Sequence, residues 1–421
     1  MSTDIQEKAR KILTASESAK PVVDGVYILP AQGNAFAAET GDGVVIVDSG
    51  PGGKVTARMI ESLRGFTSLP VTAICYSHGH LGYNEGVEFW LQHNAERNEP
   101  APQLIAHENC LRRYRRYRET LGLQRILANM QFPGTRLQFK TVDPTMTFST
   151  RLSLPSKTRR IELIWAPSET DDTIVMWLPD DGILYAGAAF PGSTIPNIGT
   201  PLRTQRFTIR WAESCELMAG LGATKLVQEF GPVIEDPREI QDRLNHTAAT
   251  LRWFRREVVE RMNRGMSEWE ILADMRYDEA MLDRPYMKAR YGAPEYIVRD
   301  LFREETGWWD RNPTHLYPAS PAAAAAAVRA AITDPEAVLR EVESLKDRGE
   351  VQLALHVIDL LALSDADDDI TKRARMLKAQ LCRLRAEQVR PYVSKALFES
   401  SARLLEEGTT SWTAVLKDKE K

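Results

Sequence analysis

Two histidines separated by a single residue follow a short apolar run, and this spacing is suited to metal binding. His78 and His80 come directly after residues 69–75, a run whose apolar pattern predicts a buried strand. A strand that ends in His-x-His presents two imidazole rings from one backbone edge, where both can bind the same transition metal. The segment therefore predicts a metal centre at the end of a strand.

The segments around the histidine pair predict the elements that must position it. Residues 25–29 and 43–50 have strand patterns, and the second of these strands ends in an acid and a turn at Asp48. A helical pattern from about residue 53 to 63 separates Asp48 from the strand that carries His78. Because strands and helices alternate, the first half of the chain is predicted to form a layered α/β domain.

The character of the sequence changes at about Pro237, after which helical periodicity dominates. Several later segments have lengths and apolar spacings that suit antiparallel helix pairs, namely residues 335–348, 351–364, 369–386 and 391–407. A length of 421 residues also favours two domains over one. We therefore predict an α/β domain over residues 1–236 and a helical domain over residues 237–421.

Composition excludes several classes of protein. A net charge of −4 gives no basic surface of the kind that binds nucleic acid, so no nucleic-acid partner is expected. No apolar stretch is long enough to cross a membrane, and the first residues lack the apolar core of a leader peptide. The cysteines are scattered without a CxxC pair and are expected to be reduced, so we predict a cytoplasmic protein without a membrane partner.

Three regions together resemble one family. The strands from residue 25 to 50, with the histidine pair, resemble the opening half of a metallo-β-lactamase fold. The turn at residues 166–170, Ala-Pro-Ser-Glu-Thr, resembles the Pro-Gly-Thr-Glu turn of the metallo-β-lactamase-fold alkylsulfatases. Residues 291–316, which include Gly-Trp-Trp-Asp-Arg-Asn-Pro, resemble their dimerisation domain. The resemblance implies an αββα sandwich, then an all-helical dimerisation domain, and hence a homodimer.

The resemblance also implies a metal site that is only half retained. His78, His80 and Glu169 match the ligands of the family's first metal, apart from the acid that bridges the two metals. At the second metal the expected Asp, two His and bridging acid are replaced by Gly82, Tyr83, Phe230 and Ala188. We therefore predict a single metal ion. Zinc is expected, because three protein ligands leave a position open; iron is the alternative, because two His and one Glu also form a facial triad.

Further site residues follow from the same alignment. Tyr83 and Glu85 are catalytic candidates: either a single metal activates the water molecule alone, or one of these side chains assists it. Asn84 is a candidate substrate contact beside the lost ligand position. Asn197 and Arg203 lie where the family has an Asn and an Arg that face the sulfate, and the planar guanidinium suits a tetrahedral anion.

Asp48 ends its strand where the family places an acid near the histidine loop. We expect it to form a hydrogen bond to a ligand histidine instead of binding metal itself.

Three functions are consistent with these residues. The first is a hydrolase that cleaves a small organic sulfate or a related anionic ester through one metal. The second is a repurposed metalloenzyme with iron oxygenase, lyase or isomerase chemistry. The third is a metal-free, non-enzymatic dimeric binding protein, in which the histidines are relics. Survival of three ligands from two distant segments favours an enzyme, and the lost second site is the observation against hydrolysis.

Overall fold

Two β-sheets form the centre of the α/β part of this computed structural model, which describes residues 18–133 and 140–419. The first sheet has the strand order β1-β2-β3-β4-β5-β6-β7, antiparallel up to β4 and parallel from β4 to β7. Its strands, in chain order, are Lys20–Val23, Val26–Pro30, Asn34–Glu39, Val44–Val47, Val71–Cys75, Gln103–His107 and Met146–Phe148.

The second sheet has the order β12-β11-β10-β9-β8 and is antiparallel except for the β11–β12 pair. Its strands, β8 to β12 in chain order, are Arg151–Leu154, Ile161–Trp165, Ile174–Leu178, Ile183–Gly187 and Lys225–Gln228. Side chains alternate across each strand. Val45 and Val47, for example, enter the core between the sheets, whereas Val44 and Ile46 face the helices on the outer side.

Helices cover the outer face of each sheet. The first sheet is covered by α1 (Gly53–Arg64), α2 (Val87–Glu96) and α3 (Asn109–Glu119), which bury residues such as Met59 and Trp90 against it. The next helix, α4, is Leu121–Gln131. The second sheet is covered by α5 (Thr208–Gly220), α6 (Pro237–Asn263) and shorter helices that follow, α7 (Glu268–Asp274), α8 (Glu279–Leu282) and α9 (Pro294–Thr306). The predicted αββα sandwich is confirmed.

The remaining helices form a core of their own around Val342, Ile358 and Leu381. They are α10 to α14, with bounds Pro321–Ala331, Pro335–Asp347, Val351–Ala362, Asp369–Gln388 and Tyr392–Glu406. Helices α11 and α13 each begin at a capping aspartate, Asp334 or Asp368, whose carboxylate accepts a backbone N–H bond. The predicted helical segments are thus confirmed to within a few residues.

The described chain divides into two compact units, residues 18–121 with 140–305, and residues 122–133 with 306–419. Helices α6 to α9 belong to the first unit because they share the core of the second sheet, around Trp211 and Phe254. The division between the units falls between residues 305 and 306, later in the chain than the predicted boundary between residues 236 and 237. The predicted domain boundary itself stays a prediction. In the part of the chain that the structure describes, no helix combines the length and apolarity needed to cross a membrane.

Candidate metal centre

Three side chains from two strand ends converge on one point. His78 and His80 follow β5, and Glu169 lies in the turn between β9 and β10. The Oε2 atom of Glu169 is 3.4 Å from Nε2 of His78 and 3.5 Å from Nδ1 of His80. The three ligand atoms all lie within 4.8 Å of one another. The structure therefore brings together the three residues that the sequence predicts as metal ligands.

The spacing and protonation of these groups fit a divalent ion. Two metal–ligand bonds of about 2.1 Å at a tetrahedral angle place their ligand atoms about 3.4 Å apart. The Oε2 atom of Glu169 lies at this separation from the nearer nitrogen of each histidine. Nε2 of His78 is buried and has no hydrogen-bond partner among the described residues. Burial lowers the pKa of His80 to about 3, so its ring stays neutral, which is the form that binds metal.

A hydrogen-bonded relay fixes the tautomer of His78. The Ser77 hydroxyl donates to Oδ2 of Asp48 at 2.6 Å, and the Ser77 Oγ atom itself lies 2.9 Å from Nδ1 of His78. Since the serine proton is used on Asp48, His78 must donate from Nδ1, which leaves the lone pair of Nε2 for a metal. The bond from Asp48 to a ligand histidine is therefore indirect, through Ser77, where the sequence predicted a direct one.

Asp48 organises the loop around the histidines. It has a φ of 66°, uncommon for a residue other than glycine, and this conformation turns the chain at the end of β4. Its Oδ1 accepts bonds from the Ser77 backbone at 2.8 Å and from the Asn84 amide at 2.9 Å. The amide oxygen of Asn84 in turn accepts from the Ser49 backbone at 3.1 Å. This buried arrangement favours a positioning role for Asn84 over the predicted substrate contact.

A buried ion pair supports the backbone between the two histidines. The Gly79 N–H donates to Oδ2 of Asp172 at 2.8 Å, and Nε of Arg113 donates to Oδ1 at 2.9 Å. Burial alone would raise the pKa of Asp172, but the Arg113 charge and the Thr170 hydrogen bond, with smaller contributions from the histidines, together outweigh it, and the pKa falls to about 2. A Cβ at Gly79 would lie 2.8 Å from both Asp172 Oδ2 and the Arg113 side chain, so the close approach requires glycine.

Asn197 and Arg206 hold the other oxygen of Glu169. The Asn197 amide donates to Oε1 at 2.8 Å, and Nη2 of Arg206 lies 3.3 Å from the same atom. Arg206 also donates to the Asn197 carbonyl at 2.5 Å. The predicted arginine, Arg203, donates to the Leu202 carbonyl at 3.3 Å. The arginine that reaches the centre is therefore three residues later than the one the sequence indicated.

Tyr83, which stands where the sequence predicts a lost ligand of the second metal, is paired with a carboxyl group. The Tyr83 hydroxyl donates to Glu229 Oε1, and the Tyr83 ring lies edge-on to His78 with centroids 4.4 Å apart. Burial, together with the nearby negative charge of Glu169, raises the pKa of Glu229 well above its usual range. Ala188 and Phe230 are buried. Among the described residues, His78, His80 and Glu169 form the single group of His, Cys, Asp or Glu side chains that is close enough to hold a metal ion.

Glu229 and Arg206 were missed by sequence reasoning. The comparison of motifs placed Phe230 at the position of the distal ligand, so its neighbour Glu229 was not considered. The signal that could have identified Glu229 is its position directly after strand β12. Glu85, predicted as catalytic, instead accepts the Gly82 N–H of its own loop at 2.7 Å. Burial raises the pKa of Glu85 to about 7.

The two packed sheets, with a His-x-His at the end of β5 and a third ligand beyond β9, define a metallo-β-lactamase fold. The model of the metallo-beta-lactamase superfamily matches residues 28–95, and that of the alkyl sulfatase dimerisation domain matches residues 267–408. These two matches confirm the predicted resemblance to the metallo-β-lactamase-fold alkylsulfatases.

Relatives in sequence and structure agree with this assignment. The chain is 23% identical over 364 residues to a linear primary-alkylsulfatase from Pseudomonas sp. (strain ATCC 19151), covering 81% of this chain and 68% of that protein. It is 26% identical over 180 residues to an (R)-specific secondary-alkylsulfatase from Pseudomonas sp., covering 42% and 25%. The relatives' names support the predicted hydrolase class.

The structure of the stereoselective inverting sec-alkylsulfatase Pisa1 from Pseudomonas sp. superposes with a TM-score of 0.81 at 17% identity. The superposition covers 93% of this chain and 66% of that one, so this chain spans about two thirds of that protein's length. At this identity the likeness establishes the fold alone.

Proposed function

We propose that this chain is a hydrolase that cleaves a small organic sulfate, or a related anionic ester, at a single divalent metal. The observation that carries the proposal is the convergence of His78, His80 and Glu169 within a metallo-β-lactamase fold. Zinc is the proposed ion, since three protein ligands leave coordination open for water and substrate. When bound, such an ion would polarise an ester oxygen and lower the pKa of a water molecule.

The chain's own residues set up this chemistry in two ways. Asn197 and Arg206 hold Oε1 of Glu169, so that its Oε2 faces the histidines. Ser77 and Asp48 keep the His78 ring oriented and its Nε2 unprotonated.

The Tyr83–Glu229 pair is the proposed proton donor. A carboxyl group kept neutral by burial can supply a proton at neutral pH, as paired acids in hydrolases do. Glu229 and Tyr83 share a hydrogen bond beside the His78 ring, and Tyr83 stands where the sequence predicts a lost ligand of the second metal. We propose that this pair gives a proton to the leaving alkoxide oxygen, which a second metal would otherwise stabilise.

The proposed activity is tested by release of sulfate. Protein freed of metal and then titrated with zinc should release sulfate from 4-nitrophenyl sulfate, measured by ion chromatography, with activity reaching its maximum at one zinc per chain. A parallel series with iron(II) tests the alternative ion. Zinc binding without release of sulfate or of phosphate from the matching phosphate ester would contradict the hydrolase proposal.

Replacing Tyr83 by Phe should lower kcat by about 100-fold, within the range of general acid catalysis, while one metal per chain is retained. The substitution removes the hydroxyl that donates to Glu229 and leaves the three metal ligands in place. Tyr76→Phe is the matched control, because it removes a buried hydroxyl that donates to the Val142 carbonyl. A Tyr83 variant with a kcat within threefold of the parent would exclude this pair from catalysis.

We also propose that the chain is a homodimer. The match of residues 267–408 to the alkyl sulfatase dimerisation model supports this assembly. Sedimentation equilibrium at micromolar concentration should give twice the 47.5 kDa chain mass. A single species of 47.5 kDa across that range would rule the dimer out.

A further inference from the structure

An arginine-rich cavity opens against the metal centre. It has a volume of about 330 Å³, and Glu169 and Arg206 form part of its wall. Its lining contains five arginines, contributed by α3, by the start of α5 and by the segment before α5: Arg112, Arg113, Arg116, Arg206 and Arg210. Such a concentration of positive charge is unusual in a chain whose net charge is −4.

Two of these arginines are already neutralised. Arg113 is bonded to Asp172 and Asp171, and Arg206 is paired with Glu169. Asp171 and Glu169 are the acidic residues of the cavity lining, and both are therefore engaged. The buried charges of the wall are thus balanced before any ligand enters.

The other three arginines are not engaged in direct ion pairs, although Arg210 lies near enough to Glu304 for the two charges to attract. Among the described residues, Arg112, Arg116 and Arg210 form no ion pair with a carboxylate. Arg116 lies over the Tyr117 ring at 4.9 Å, and Arg210 lies over the Phe207 ring at 4.6 Å. Stacking of this kind orients a guanidinium group while leaving its N–H donors available.

We infer that this cavity binds a second anionic group of the substrate, so that the substrate is a small ester carrying an additional carboxylate, phosphate or sulfate. The inference rests on the proposed hydrolase function and specifies its substrate class. Guanidinium groups bind such anions through paired N–H donors. A purely alkyl tail would instead remove water from the guanidinium groups of Arg112, Arg116 and Arg210 without replacing their hydrogen bonds. The cavity volume suits a small molecule.

Binding of matched sulfonates to the zinc-loaded full-length protein tests the inference without requiring turnover. Benzenesulfonate carries one charge and 4-sulfobenzoate carries two, and neither is hydrolysed. Isothermal titration calorimetry should show about tenfold tighter binding of 4-sulfobenzoate, since exposed charge pairs each contribute modestly. Replacing Arg112, Arg116 and Arg210 together by Gln should bring the two affinities within about twofold, with benzenesulfonate binding unchanged.

Arg115→Gln is the matched control, because Arg115 is an exposed residue of the same helix that does not line the cavity. The preference for 4-sulfobenzoate over benzenesulfonate should be retained in the Arg115→Gln variant. The same preference should be smaller in the Arg112→Gln variant. Equal affinity of the parent protein for both sulfonates would overturn the inference, as would a preference that survives the triple substitution. Tighter binding of a heparin oligosaccharide than of 4-sulfobenzoate would also overturn it, in favour of a general polyanion surface.

Failure of this inference can be told apart from failure of the proposed function. Release of sulfate from 4-nitrophenyl sulfate without any preference for the dianion would retain the hydrolase and remove the second anion site. A dianion preference that depends on Arg112, Arg116 and Arg210, without hydrolysis of any ester, would retain the anion site and remove the hydrolase.

Discussion

Replacing His80 by Ala is expected to remove about one metal ion per chain and to reduce ester hydrolysis to background. His80 supplies one of only three protein ligand atoms, and its Nδ1 lies 3.5 Å from the Glu169 oxygen that would share the ion. Among the described residues, no fourth His, Cys, Asp or Glu joins this group to compensate. The loss should exceed the roughly 10–100-fold that follows removal of a hydrogen bond supporting a metal ligand.

The measurement is metal content by mass spectrometry together with the rate of sulfate release. His356→Ala is the matched control, since His356 is an exposed residue of α12 in the other compact unit. The control should keep its metal and its activity. Full activity of the His80 variant would place the chemistry elsewhere in the cleft, and two metals per chain in the parent protein would show that the second site survives.

The three candidate ligands could be predicted from sequence because strand ends fix their positions locally. His78 and His80 follow an apolar run that predicts a buried strand, and Glu169 stands in a turn with its own sequence pattern. The later helices were predictable from their lengths and apolar spacing, which are also local properties of the sequence.

The supporting residues could not be predicted because their partners are distant in the chain. Arg113 and Asp172 are separated by 59 residues, and neither position carries a local signal that it faces the other. The choice between Arg203 and Arg206 depends on the path of an irregular loop ahead of α5, which periodicity does not describe. Glu229 and Tyr83 are brought together over 146 residues by the packing of two sheets.

Replacing Asp172 by Ala is expected to cost about 3–5 kcal/mol of folding free energy, because it leaves the buried Arg113 guanidinium without its main partner. The Gly79 N–H loses its acceptor in the same step, so the histidine loop should loosen and metal affinity should fall by about 10–100-fold. Urea unfolding and zinc titration measure the two effects. Glu216→Ala, which breaks an exposed pair with Arg252, should cost less than about 1 kcal/mol.

The pH dependence separates the Asp172 ion pair from simple loss of packing. The pKa of folded Asp172, about 2, lies below its ordinary value of 3.8, so the ionised form is the one that stabilises the fold. That contribution is complete above about pH 4 and is lost as the pH falls toward 2. The stability difference between parent and Asp172→Ala should therefore be constant from pH 5 to 8 and shrink on acidification. A difference that stays constant down to the acid limit would attribute the loss to packing instead of charge.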